Sequence, residues 1–144
     1  MIISIEAVPR RIAKPVAGTV RIAVAGIERD EGTAFTVDVA TKGRKDTAGK
    51  WGLPIPATVD AETIREPDYD LVVIPGGYES PDRVRQIPNV LQFLRDFDAR
   101  KKVIASVCHG PWVLISAGIV RGRRLTCYPG CKDDLVNAGA AYEE

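Results

Sequence analysis

Val103-Ile104-Ala105-Ser106-Val107-Cys108-His109-Gly110-Pro111-Trp112-Val113-Leu114-Ile115-Ser116-Ala117-Gly118 reads as a buried strand, a tight turn and a short helix. Val103–Val107 is a β-rich apolar run. Pro111 suits the first helical turn, where its missing N–H would be unpaired in any case, and Gly118 suits a helix end. Upstream, Leu71–Ile74 is a second buried strand, ended by Pro75-Gly76-Gly77, and Val90, Leu91, Leu94 and Phe97 then fall at helical spacing. Downstream, Leu125–Tyr128 reads as a strand and Lys132–Ala138 as a helix stopped by Gly139. Strands alternating with helical patterns predict an α/β fold with a mostly parallel sheet wrapped by helices.

The first half is less regular. Val20–Ala25 is a mostly buried strand stopped by Gly26, and Phe35–Ala40 alternates as a second strand after only a short polar loop. Lys42–Gly52 is Gly- and Lys-rich, and Pro54 and Pro56 limit the next stretch to edge pairing or turns. Residues 1–18 carry two prolines and a basic trio (Arg10, Arg11, Lys14) without a period, and are expected as an irregular arm. Residues 19–144 are expected as one domain.

The 144 residues are 45% hydrophobic and 27% charged, with 20 Lys and Arg against 19 Asp and Glu, which suits a globular chain in water and gives no electrostatic support for nucleic-acid binding. No apolar run approaches the roughly 18 residues of a membrane span, and Met1–Ile5 is too short for a signal peptide's apolar stretch. The expected compartment is the cytoplasm. The three cysteines have no disulfide-scaffold spacing and are expected as reduced thiols.

Cys108 sits at the strand-to-helix junction with small residues two before and two after, the pattern of a nucleophile elbow. Such a turn holds a reactive atom above the sheet and aims helix N-terminal N–H groups at it, which favours a thiolate. The same spacing also fits a buried, inert cysteine. His109 is the sole histidine, so cysteine–histidine chemistry within one chain must use it, and neighbours in sequence can pair only across an irregular backbone. Pro75-Gly76-Gly77 lies at the carboxyl end of a strand, where doubly wound sheets place ligands. Cys127 and Cys131 with His109 are one conceivable soft metal site, but Cys-x₃-Cys lacks a matching second pair and two ordinary thiols are expected. No cofactor or metal is expected, and Trp112, Val113 and Ile115 are expected to pack.

From Cys108 to Gly118 the chain is similar to PfpI-type intracellular proteases and amidases (ThiJ/PfpI). The similarity runs from about Tyr69 to Glu144, through Pro75-Gly76-Gly77, Pro81-Asp82-Arg83-Val84-Arg85, Gly122-Arg123-Arg124-Leu125-Thr126 and Asp133-Asp134-Leu135-Val136-Asn137-Ala138-Gly139. This resemblance implies a flavodoxin-like three-layer sandwich, with Cys108 as nucleophile and His109 as its acid–base partner. It implies a carboxylate from a neighbouring subunit, here Asp82, and oxyanion donors in the backbone N–H groups of Gly76, Gly77 and His109. Tyr128 matches a tyrosine near the family's pocket. Glu31 matches a glutamate that hydrogen-bonds the reactive cysteine, with Glu28 at a second acidic position. The implied activities on small carbonyl or peptide substrates are peptide or amide hydrolysis, glyoxalase action and deglycation. The competing class is a non-catalytic stress or redox-responsive protein with an oxidisable Cys108. A glutamine amidotransferase is excluded, since that mechanism needs a histidine well downstream of the nucleophile.

The chain departs from the family where only a loop's length separates its first two strands, in place of a long helix. A parallel crossover normally needs a dozen or more residues. The two strands are therefore expected to form a hairpin, to leave the usual sheet order or to exchange with another subunit. A missing first helix, and the further strand and helix that family members carry after Gly139, would uncover apolar surface, so a homo-oligomer is expected.

Overall fold

The computed structural model describes residues 2–3, 20–24, 35–48, 52 and 54–144. A five-stranded sheet in the order β1-β9-β8-β2-β3 forms its centre, built from β1 (Ile2–Ile3), β2 (Val20–Val24), β3 (Phe35–Asp38), β8 (Leu71–Ile74) and β9 (Val103–Ser106). Every pairing in it is parallel. Between β3 and β8 lie four two-residue strands, β4 (Ala40–Thr41), β5 (Thr47–Ala48), β6 (Pro54–Ile55) and β7 (Val59–Asp60). These pair as parallel β4-β7 and antiparallel β5-β6, in keeping with a Gly- and Pro-rich stretch.

β8 and β9 alternate as buried strands must. Val72, Ile74 and Ile104 enter the main core, whereas Val73 and Ala105 face the other side with Val37 and Leu71. Helices α1 (Glu79–Val84), α2 (Pro88–Ala99), α3 (Pro111–Ala117) and α4 (Lys132–Asn137) all contribute to the main core. On α2, Val90, Phe93, Leu94 and Phe97 form the buried stripe. Leu94 and Phe97 are fully buried, each stabilising the fold by about 1.5–3 kcal/mol relative to exposure. Gly118 ends α3 with φ +76°, as its place after the last helical residue predicts.

Two expectations need correction. β2 and β3 do not form a hairpin: Val20–Ala23 pair in parallel register with Phe35–Asp38. Residues 25–34 between them, with the expected Glu28 and Glu31, lie outside the described residues. The strand expected over Leu125–Tyr128 is also shorter. Only Arg124–Leu125 pair, as β10, with β11 (Ala141–Tyr142) in a separate two-stranded sheet. The chain then turns to the end of β9, where the Tyr128 N–H donates to the Cys108 carbonyl at 2.9 Å and so is not available to a ladder. Of the arm expected over residues 1–18, Ile2–Ile3 are described, and they pair with Ile104–Ala105 at the sheet edge.

Candidate active site

β8 and β9 run side by side with Ile74 opposite Ser106, so the Pro75–Gly77 turn and the Val107–Gly110 turn leave the sheet together. Two backbone bonds hold the second turn: Val107 N–H donates to the Ile74 carbonyl at 3.1 Å, and Gly110 N–H to the Val107 carbonyl at 2.8 Å. Inside it Cys108 adopts φ +59°, a left-handed conformation that a residue with a Cβ adopts only at a cost of about 1–3 kcal/mol. Surrounding backbone enforces it.

The glycines show why the local sequence must read as it does. A Cβ on Gly110 would stand 2.7 Å from the Ile74 carbonyl oxygen and 2.9 Å from that of Val107. One on Gly76 would stand 2.6 Å from the Cys108 Cβ. Both turns therefore pack backbone against backbone, with the Gly76 main chain against the cysteine. Gly77 follows with φ +90°, which its lack of a side chain permits.

The left-handed turn does what a regular helix cannot: it brings adjacent side chains together, with Cys108 Sγ 3.1 Å from His109 Nδ1. Both residues are partly exposed. A thiol S–H in this geometry donates to an unprotonated Nδ1, and after proton transfer the imidazolium N–H donates back to the thiolate. The imidazole stacks on Tyr128, centroids 4.7 Å apart and planes at 21°, and meets Trp112 at 4.9 Å and Tyr78 at 5.8 Å in T-shaped contacts. Tyr78, Tyr128 and Val107 are three of the four large hydrophobic side chains exposed among the described residues, and all three stand beside or next in sequence to the Cys108–His109 pair.

Cys108, His109, Gly76 and Tyr128 thus converge, with Gly77 next in the chain after Gly76. Asp82 does not join them within the chain; it lies exposed on α1, with Gln86 Nε2 donating to its carbonyl at 3.0 Å and its carboxylate at 3.4 Å. Trp112, expected merely to pack, faces the imidazole, and its Nε1–H donates to Asp134 Oδ2 at 2.8 Å. Its place three residues after His109, the spacing of neighbours at a helix start, is the signal in the sequence; Tyr78 is marked only by following Gly77. The other two thiols are held back. Burial pushes the Cys131 thiol up to about 11, with Cys127, Asp134 and Cys108 adding smaller contributions. Burial and then Asp134 raise that of Cys127. No group of three or more metal-ligating side chains occurs among the described residues, and no helix among them is long and apolar enough to cross a membrane.

Residues 21–144 match the DJ-1/PfpI family. The chain belongs to that family. Among relatives, a deglycase of Pyrococcus horikoshii is 39% identical over 74% of this chain and 63% of its own length. An uncharacterized protein of Archaeoglobus fulgidus is 41% identical over 81% of this chain and 67% of its own, and Escherichia coli protein/nucleic acid deglycase 2 is 39% identical over 70% and 55%. The chain spans only about 55–68% of the length of the DJ-1/PfpI relatives it matches. The crystal structure of Drosophila melanogaster DJ-1beta superposes with a TM-score of 0.72, at 24% identity, over 88% of this chain and 73% of that one. The DJ-1/PfpI fold is α/β and flavodoxin-like, as the resemblance implies.

Proposed function

We propose that this chain is a cysteine-dependent carbonyl-processing enzyme of the glyoxalase, deglycase or amidase type, with Cys108 as nucleophile and His109 moving the proton. The observation that carries this reading is the 3.1 Å approach of Cys108 Sγ to His109 Nδ1 across a backbone strained to φ +59°, since strain of this kind collects at functional sites. Relatives named deglycases support it. The thiolate adds to an electrophilic carbon, forming a C–S bond while the carbonyl π pair moves to oxygen. An aldehyde then gives a hemithioacetal and an amide a tetrahedral acyl adduct. The N–H groups of Gly76, Gly77 and His109 receive the developing oxyanion, and the exposed Tyr78 and Tyr128 flank the entering substrate. Asp82 serves a second copy of the chain, approaching that copy's imidazole and accepting from its remaining nitrogen.

Methylglyoxal is the simplest probe, since its conversion to lactate adds one water and needs no other reactant. Purified protein incubated with methylglyoxal is expected to form lactate well above the protein-free rate, read by proton NMR. No lactate, with Cys108 nevertheless oxidised by peroxide, overturns the glyoxalase form of this reading, and the same outcome with a glycated peptide and an amide substrate overturns the enzymatic reading in favour of a redox-responsive protein.

A further inference from the structure

We propose that Trp112, anchored by Asp134, is a positioning residue that holds the His109 imidazole against Cys108; this rests on the assignment of His109 as the proton-handling partner. Among the described residues the imidazole's one side-chain hydrogen-bond contact is to Cys108, so within one copy of the chain its orientation rests on the rings around it. Tyr128 and Tyr78 are 51% and 73% exposed and make weak walls. Trp112 is half-buried, and three features fix its indole. It rises from the first turn of α3, its Nε1–H donates to Asp134 Oδ2 at 2.8 Å, and the Arg85 guanidinium lies 5.7 Å from its ring centroid. Arg85 is itself held, its Nε donating to Ser116 Oγ at 2.9 Å.

Asp134 on α4, Trp112 on α3, His109 and Cys108 therefore form one continuous chain of contacts. The two charges that flank the indole, Asp134 and Arg85, are opposite in sign. Without the indole hydrogen bond the ring is free to rotate about its side-chain torsions, the imidazole loses its firmest wall, and the Sγ–Nδ1 approach loosens. Misplacement of a reacting group by about 1 Å can lower a rate by as much as 10²-fold.

The test uses iodoacetamide as probe, with Cys108 alkylation resolved by peptide mass spectrometry at pH 6.5 and 9.5 in the wild type and in Trp112→Phe, Asp134→Ala, Asp134→Asn and His109→Ala. Trp112→Phe and Asp134→Ala are expected to slow Cys108 about tenfold at pH 6.5, where reaction depends on the histidine, and less than about twofold at pH 9.5. Asp134→Asn, whose amide oxygen still accepts the indole N–H, is expected to stay near the wild-type rate. A merely structural contact would lower the melting temperature and leave the ratio of the two rates unchanged. If Trp112→Phe keeps the wild-type ratio, or if Asp134→Asn is as slow as Asp134→Ala, the positioning role is overturned; the two Asp134 variants decide the matter where Trp112→Phe fails to fold. Should His109→Ala itself leave Cys108 unaffected at pH 6.5, the assignment of His109 has failed instead.

Discussion

Replacing Cys108 by serine is expected to lower turnover of methylglyoxal by at least about 10³-fold while leaving the protein folded. A serine hydroxyl fits the space of the thiol, so the elbow and its contact with Gly76 persist. What is lost is nucleophilicity: the hydroxyl holds its proton far more tightly, and a neighbouring imidazole cannot ionise it to a useful extent at neutral pH. Cys127 and Cys131 remain in this variant, which makes it an internal control. Turnover above about a tenth of the wild-type rate would place the chemistry on one of them or away from thiols altogether, and unaltered thermal melting would show that the loss is chemical.

Gly110→Ala is expected to damage the same site without touching a reactive atom. The added methyl meets the Ile74 carbonyl oxygen at 2.7 Å and the Val107 oxygen and nitrogen at 2.9 and 3.1 Å. All three are backbone atoms, and two of them form the Val107-to-Ile74 hydrogen bond that joins the elbow to β8. They cannot yield as a flexible side chain can. Overpacking of this kind costs about 1–3 kcal/mol or more, and at about 2–4 °C per kcal/mol for a chain of this size the melting temperature should fall by several degrees. Cys108 should lose its selective reactivity at the same time, because relief of the clash moves the turn that aims its sulfur. A variant that melts with the wild type and reacts like it would show that the elbow is not the tight assembly described.

Much of this site is legible in the chain because each local requirement has a residue-level signature. Gly110 and Gly76 must be glycine where backbone passes against backbone, Pro111 and Gly118 bracket α3, and the stripe Val90, Leu94, Phe97 marks the buried face of α2. Partner choice is less legible. The apolar runs of β2 and β3 show two strands, but their residues do not state that the strands pair in parallel. Thr126–Tyr128 has strand composition, yet the Tyr128 N–H goes to the Cys108 carbonyl, a competition between two distant segments that periodicity cannot register. The ring cage around His109 is hidden for a similar reason. Tyr78, Trp112 and Tyr128 come from three separate segments, and only the fold brings them to one imidazole.

The most direct test of a reactive Cys108–His109 pair is alkylation by iodoacetamide of all three cysteines from pH 5 to 10, resolved by peptide mass spectrometry, in the wild type and in His109→Ala. Cys108 should react first, with a rate at neutral pH that falls in His109→Ala. Cys131 should react last. Burial raises its thiol to about 11, so the folded protein keeps it protonated at pH values where a free thiol has ionised, and it gains reactivity only as the pH climbs toward that value. At pH 8 its thiolate fraction is roughly a hundredfold below that of a thiol at the ordinary value of 9.0. A Cys108 that reacts no faster than Cys127 at neutral pH, or that ignores the loss of His109, would contradict the account.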